Sequence, residues 1–288
     1  MTHPSPHSLH FRLHVPAHLN GTTSVPLLVA LHGCTQNAND FAEGTRFDQL
    51  ADRYGAIVVY PEQTERANAR RCWNWFLPAN QSRTKGEPAA ILAIVEEICE
   101  RLNVDRSRIF VTGLSAGAAM AAILAEQAPD VFAAVGVVAG IALHVSHDVR
   151  TAYRAMRGEL DPDAVVPIIP PGAPDAYGRM RAIIWAGSRD RTVAPANAQL
   201  LAVQFRKLLH LPEGHDELTV MSDGLLSQWS DGENRVRVVL RTIEELGHAW
   251  SGGSLRGSHT APKGPSASEA IMRFFLGDAP LSDEAASA

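Results

Sequence analysis

The stretch "IFVTGLSAGAAMAAILAE", residues 109–126, changes character at its centre. Its first half is a short apolar run with β-branched residues, the pattern of a strand covered on both faces. Its second half is an alanine-rich helix former. Between the two stands Gly113-Leu114-Ser115-Ala116-Gly117, a serine held between glycines at a strand-to-helix turn. A turn of this kind must be sharp to expose a hydroxyl at the strand's carboxyl end, and flanking glycines relieve the crowding. The helix N-terminus that follows adds unpaired N–H groups and a positive dipole end. Ser115 therefore reads as a nucleophile, with a tightly packed small-residue turn as the plainer alternative.

The same strand-then-helix rhythm extends in both directions. Short apolar runs recur at 26–31, 56–60, 108–112, 133–139 and 181–186, with helical spacing at 88–102, 196–210 and 265–276. That alternation predicts an α/β protein with a doubly wound, mostly parallel sheet and helices on both faces. Asp231-Gly232 is a turn signal between two strand-like runs in 225–243, so a hairpin is expected there. With 288 residues the chain is long enough for one large domain. A single catalytic domain over 1–288 is expected, with an irregular N-terminal arm (1–9), a Pro/Gly-rich loop or small lid excursion (141–178) and a C-terminal tail (278–288).

Composition narrows the function. A formal charge of −5 with no basic cluster gives nucleic acid no footprint. No apolar run approaches the about 20 residues of a membrane span. The N-terminus lacks a basic start followed by an apolar segment, so the expectation is a cytoplasmic chain or a secreted one whose leader has been removed. Three cysteines make no disulfide framework but permit one bridge.

A nucleophilic serine needs a base, and the base needs an orienting carboxylate. In this topology they follow the serine in the order acid, then histidine. Asp190 follows the strand-like "RAIIWA" in "GSRDRTV", whereas Asp161, Asp163 and Asp175 lie in the Pro-rich excursion with no strand to fix them. The plainer reading of Asp190 is a helix cap or an ion pair with Arg189 or Arg191. Among twelve histidines, His248 follows the last strand-like run in the glycine-flanked "ELGHAWSGG", and His259 is the reserve. His210 and His215 come too early, before the final strand. After another early strand, "LVALHGCTQN" supplies a loop for an oxyanion hole. Its donor is expected from Cys34, with Thr35 as the neighbouring alternative, paired with the N–H of Ala116. His32, just before the glycine, suits support of this loop better than catalysis as a base.

These blocks together resemble α/β-hydrolase esterases of the polyhydroxybutyrate depolymerase type, akin to carbohydrate esterase family one. The matching segments are "LHGCTQ" (31–36), "CWNWF" (72–76), "GLSAG" (113–117), the Asp190 loop and "GHAWSGG" (247–253), spread from residue 31 to residue 253. The resemblance implies Ser115, Asp190 and His248 as a triad and Cys34 with Ala116 as the oxyanion hole. It implies a serine esterase acting on short-chain hydroxyalkanoate esters, oligomeric or polymeric, with no cofactor and no metal. Feruloyl or acetyl-xylan esters, or a synthetic polyester, are the alternative substrates. A catalytically silent polymer- or carbohydrate-binding protein on the same fold is the alternative of another class.

Within the matching blocks, Trp250 and Trp73, together with His32, are expected around the substrate, the tryptophans as an apolar wall or as packing beneath loops. A Cys34–Cys72 disulfide would tether the oxyanion loop to "CWNWF". Cys99 is expected as a small core residue. His3, His7, His10, His14 and His18 are irregularly spaced and read as a solvated arm entering a first strand. The "SRTKGEP" loop (82–88) has a phosphate-loop flavour but lacks the glycine spacing for nucleotide binding.

Overall fold

The 109–126 stretch forms the end of strand β4 (Val104–Leu114) and helix α4 (Ala116–Gln127), and the rest of the chain is arranged around this unit. The computed structural model describes residues 9–159, 177–211 and 217–277. Residues 1–8 of the expected arm, residues 160–176 of the excursion and the tail at 278–288 lie outside the described residues, as do His3, His7, Asp161, Asp163, Asp175 and His215.

Glycine permits the close fit of α4. A Cβ at Gly113 would overlap the backbone of Gly117, and one at Gly117 would overlap the carbonyls of Leu31 and His32. The helix can therefore lie directly on the sheet, and its residues from Ala116 to Glu126 are buried.

Nine strands form one sheet in the order β1-β3-β2-β4-β5-β6-β9-β8-β7. These are β1 (His10–His14), β2 (Val25–Leu31), β3 (Ile57–Glu62), β5 (Ala134–Val138), β6 (Arg181–Gly187), β7 (Glu217–Met221), β8 (Gly224–Ser230) and β9 (Val236–Ile243) beside β4. The six from β3 to β9 run parallel, whereas β1, β8 and β7 add antiparallel pairings at the two edges. The expected hairpin is β8–β9, with the Asp231 N–H donating to the Arg235 carbonyl across its turn. Strand side chains alternate between two cores. Leu27, Val29 and Leu31 join the core under α4, α3 (Gly86–Arg101) and α6 (Ala196–Leu208). Leu28 and Ala30 join the core under α1 (Ala38–Thr45), α2 (Phe47–Tyr54) and α7 (Ala267–Leu276). Such a sheet is the α/β-hydrolase architecture that the sequence implies. Residues 141–148 cross its surface irregularly and lead into α5 (Val149–Met156), opened by a capping box between Asp148 and Thr151. A short parallel pair, β10 (Trp250–Ser251) with β11 (Thr260–Ala261), follows the main sheet. Among the described residues no helix is long and apolar enough to cross a membrane, and no group of three or more His, Cys, Asp or Glu could hold a metal ion.

Candidate active site

Ser115 ends β4 with φ 57° and ψ −118°, outside the region an L-residue readily occupies. The conformation is held from both sides. The Ser115 N–H donates to the Val138 carbonyl of β5 at 2.9 Å, and its carbonyl accepts from Ala119 at 2.9 Å. Its hydroxyl makes no cap bond to α4.

The register of neighbouring strands carries the other two residues to the same edge. Leu114 pairs with Val138, Val138 with Trp185, and Gly187 with Ile243, so the loops after β4, β6 and β9 leave the sheet side by side. Asp190 lies in the loop after β6 with its side chain only 1% exposed. Its Oδ1 accepts from the N–H groups of Thr192 and Val193, both at 2.8 Å. Its Oδ2 lies 2.7 Å from His248 Nδ1, so that nitrogen is the donor and Nε2 is left without the proton. Arg189 turns away and pairs with Glu245 at the surface, which removes it as a partner for Asp190. His259, the reserve base, instead meets Thr35, Oγ1 to Nε2 at 3.2 Å, while its carbonyl accepts from Trp250.

Residues 32–35, after β2, are bound at every position. His32 is fully buried; the Gln63 N–H must donate to its Nε2 at 3.0 Å, so Nδ1 carries the proton and donates to the Gly33 carbonyl at 2.8 Å. Burial lowers the His32 pKa and keeps the ring neutral, against the opposing pull of the Gly33 bond. The Gly33 N–H donates to Gln36 Oε1 at 2.9 Å. Cys34 is joined to Cys72 by a disulfide. The Thr35 N–H already donates to the Arg70 carbonyl at 2.6 Å, which leaves Cys34 as the better placed of the two expected oxyanion donors. Ala116, the second expected donor, is the first residue of α4.

The residues expected around the substrate need correction. Trp73, Trp250 and His32 are 0–1% exposed and do not reach a cleft. Large aromatic rings in loops fill the space beneath those loops, and each here also has a partner for its polar atom. Trp73 donates from Nε1 to the His32 carbonyl at 3.1 Å. Trp250 packs edge-on against Phe41 and Phe47 and donates to Ser268 Oγ at 2.9 Å. All three pack beneath and brace the loops they belong to. Cys99 is half-buried against the α3–α4 core.

Sequence reading missed Gln63, Asn74 and Glu87. The Glu87 carboxylate, in the first turn of α3, accepts from Gln63 Nε2 at 2.6 Å, Asn74 Nδ2 at 2.7 Å and the Asn74 N–H at 2.8 Å. Burial raises its pKa above the ordinary carboxyl value, more than these donors lower it. Glu87 belongs to the very "SRTKGEP" segment that carries no nucleotide motif; its only signal was an acidic residue opening a helix.

A family model described as esterase PHB depolymerase matches residues 9–214. Poly(3-hydroxyalkanoate) depolymerase C of Paucimonas lemoignei is 36% identical over 247 residues, covering 85% of this chain and 59% of that protein. Poly(3-hydroxybutyrate) depolymerase of Ralstonia pickettii is 26% identical over 254 residues, covering 79% of this chain and 48% of that protein. The chain thus spans about half to three-fifths of the length of these curated relatives. Among solved structures, an acetyl xylan esterase from Aspergillus awamori superposes with a TM-score of 0.70 at 21% identity, over 84% of this chain and 90% of that one, a likeness of fold.

Proposed function

We propose a function from one premise: the chain belongs to the esterase PHB depolymerase family. It is a serine hydrolase of carboxylic esters, and its substrates are short-chain hydroxyalkanoate esters, as oligomer or polymer. The observation that carries the reading is the 2.7 Å contact of Asp190 with His248 Nδ1, on the sheet edge where Ser115 is held at φ 57°.

His248 Nε2 takes the Ser115 proton as Oγ bonds to the ester carbonyl carbon. The N–H groups of Cys34 and Ala116 hold the oxyanion of the tetrahedral intermediate. Collapse breaks the ester C–O bond, and His248 returns the proton to the departing alcohol. Water then repeats the attack on the acyl-enzyme with His248 as base, releasing the acid and restoring the Ser115 hydroxyl. Asp190 fixes the imidazole tautomer and stabilises its cationic form. No step requires a cofactor. The depolymerase names of the two curated relatives support the substrate class.

Turnover of p-nitrophenyl butyrate, hydroxybutyrate oligomers, methyl ferulate and acetylated xylo-oligosaccharides by the wild type and Ser115→Ala tests both parts. Ser115→Ala should lose about 10⁴-fold or more in kcat. Equal rates in the two proteins would overturn the triad, and no turnover by either would favour the silent binding protein. Hydroxybutyrate oligomers should be the best natural esters; preference for the ferulate or acetyl substrates would move the chain to cell-wall esters.

A further inference from the structure

We infer that Glu87 is a positioning residue for ester hydrolysis, the half-buried carboxylate on which the oxyanion loop is anchored. The inference rests on the esterase reading above.

The loop after β2 has no regular structure of its own to fix the Cys34 N–H. Besides the Gly33–Gln36 and Thr35–His259 contacts, its bracing comes from the segment between β3 and α3. The Gln63 N–H holds the His32 ring, Trp73 Nε1 holds the His32 carbonyl, the Arg70 carbonyl holds the Thr35 N–H, and Cys72 is bonded to Cys34. That bracing segment is itself irregular, so it transmits position only if something rigid grips it. Glu87 does so at two points 11 residues apart, Gln63 and Asn74, and it stands on the 16-residue helix α3. The grip is closed from behind. The Glu87 N–H donates to Asn80 Oδ1 at 2.9 Å, and Asn80 Nδ2 donates to the Asn74 carbonyl at 2.9 Å. Gly86, at φ 58°, leaves the room that Asn80 occupies.

The chemistry asks for a carboxylate specifically. Every partner of the two Glu87 oxygens is a neutral N–H donor, and among the described residues no cation pairs with them. A glutamine there would turn an amide NH₂ toward donors that need an acceptor, and would leave at least one of them unsatisfied. A half-buried charge without a cation is a costly way to join two loops, which fits a role in fixing geometry better than one in general stability. Because the links run Glu87 to Gln63 and Asn74, and then to His32 and Trp73, their loss shifts the oxyanion donor without removing it. The loss falls on the transition state, where that donor is used, and not on the bound ester.

The experiment compares E87Q with E126Q, a buried carboxylate changed at the far end of α4. Circular dichroism and melting first establish that both fold. Kinetics on p-nitrophenyl butyrate and inhibition by butylboronic acid, whose tetrahedral adduct on Ser115 uses the same donor, are then measured. E87Q should lose about 10- to 100-fold in kcat with KM within about twofold, and boronate affinity should fall by a similar factor. E126Q should keep wild-type kcat. Adding N74D to E87Q reverses one donor–acceptor pair and should recover part of kcat. If E87Q does not fold, N74A removes one side-chain bond to the same carboxylate and should lower kcat several-fold at constant KM. A folded E87Q with wild-type kcat, or one whose kcat falls while boronate affinity holds, overturns the inference. An unaltered kcat in folded N74A overturns it equally. A wild type without activity sensitive to S115A defeats the esterase reading itself, so the two failures are distinct.

Discussion

The loops on the two sides of Ser115 are held by different means. The loops carrying Asp190 and His248 continue the pairing of neighbouring parallel strands. Beyond the last paired residues, Gly187 and Ile243, the Ser188 N–H donates to the Ile243 carbonyl at 2.9 Å and the Arg189 N–H to the Leu246 carbonyl at 3.0 Å. A Cβ at Gly187 would overlap the Leu246 carbonyl, so the two chains can close only around a glycine there. The loop after β2, proposed to hold the oxyanion, has no such ladder beside it. A disulfide, a buried histidine, an indole N–H and a carboxylate at one remove do the same task through side chains, helped by one backbone bond from the Thr35 N–H to the Arg70 carbonyl. Backbone ladders fix a loop wherever strands lie side by side. A loop that must present a bare N–H cannot also use that N–H in a ladder, so its position is set by side chains.

The largest effect should fall on the ladder-held side. Asp190→Asn keeps an oxygen for the Thr192 and Val193 N–H groups but presents an NH₂ to His248 Nδ1. The imidazole is then driven to the wrong tautomer, and kcat should fall by about 10³- to 10⁴-fold with little change in melting temperature. An Asp190→Asn protein with near wild-type kcat would mean that the Asp190–His248 contact is structural, and the comparison would lose one of its terms. The opposite pattern is expected across the cleft. Replacing both Cys34 and Cys72 by serine releases a link that spans 38 residues of sequence. Stability should fall by about 2–4 kcal/mol, and kcat by about tenfold as the donor loses its tether. Dithiothreitol on the wild type should reproduce the kcat loss, read in the same assay. Unchanged kcat with lowered stability would show that the side-chain network holds the loop alone.

The same contrast explains how much could be read from the sequence. The parallel strands announce themselves as Val- and Ile-rich runs because both faces are buried, and Ser115, Asp190 and His248 follow from their order along those strands. Helix α1 does not, being eight residues long and containing Gly44, and α5 turns Val149 and Tyr153 toward solvent, which spoils its pattern. Edge strand β7 is equally faint, since Leu218 and Val220 on it are exposed. At the candidate site, the order of Ser115, Asp190 and His248 along the strands was legible and so was the Cys34–Cys72 pairing, whereas the cluster around Glu87 was not. Nothing in the spacing of Gln63, Asn74 and Glu87 marks them as one cluster, because they meet only when α3 and the loop before it have packed. Trp250 could not be placed for a related reason: an aromatic two residues from His248 can face the ester or the core beneath, and its indole finds Phe41, Phe47 and Ser268.

Trp250 is a support on the ladder-held side. Trp250→Phe removes the bond to Ser268 and part of the packing, which should cost about 1–2 kcal/mol in denaturant melts. With a fully buried ring, KM should keep its wild-type dependence on acyl chain length, measured with p-nitrophenyl acetate, butyrate and octanoate. A selective change for the longest chain would return Trp250 to the cleft.

The smallest effect on catalysis is expected at the far end of α4, where Glu126 meets His144 at 2.6 Å, Oε1 to Nε2. This pair ties α4 to the loop after β5, about 16 Å of helix away from Ser115 at 1.5 Å per residue. The hydrogen bond to Glu126 raises the His144 pKa above its ordinary value of 6.5, against the lowering effect of burial. A histidine whose folded pKa lies above its unfolded one binds its proton more tightly when folded. Its contribution is therefore complete below about pH 6.5 and is lost as pH rises through the folded value. The wild-type melting temperature should accordingly carry a decline on the alkaline side of pH 6.5 that belongs to this pair. Glu126→Gln should melt lower at pH 6 and show a flatter profile above it, while kcat on p-nitrophenyl butyrate stays within about twofold at each pH. A kcat that followed the melting curve would make the whole of α4 part of the positioning apparatus, and the division between the two flanks of Ser115 would no longer account for where rate is lost.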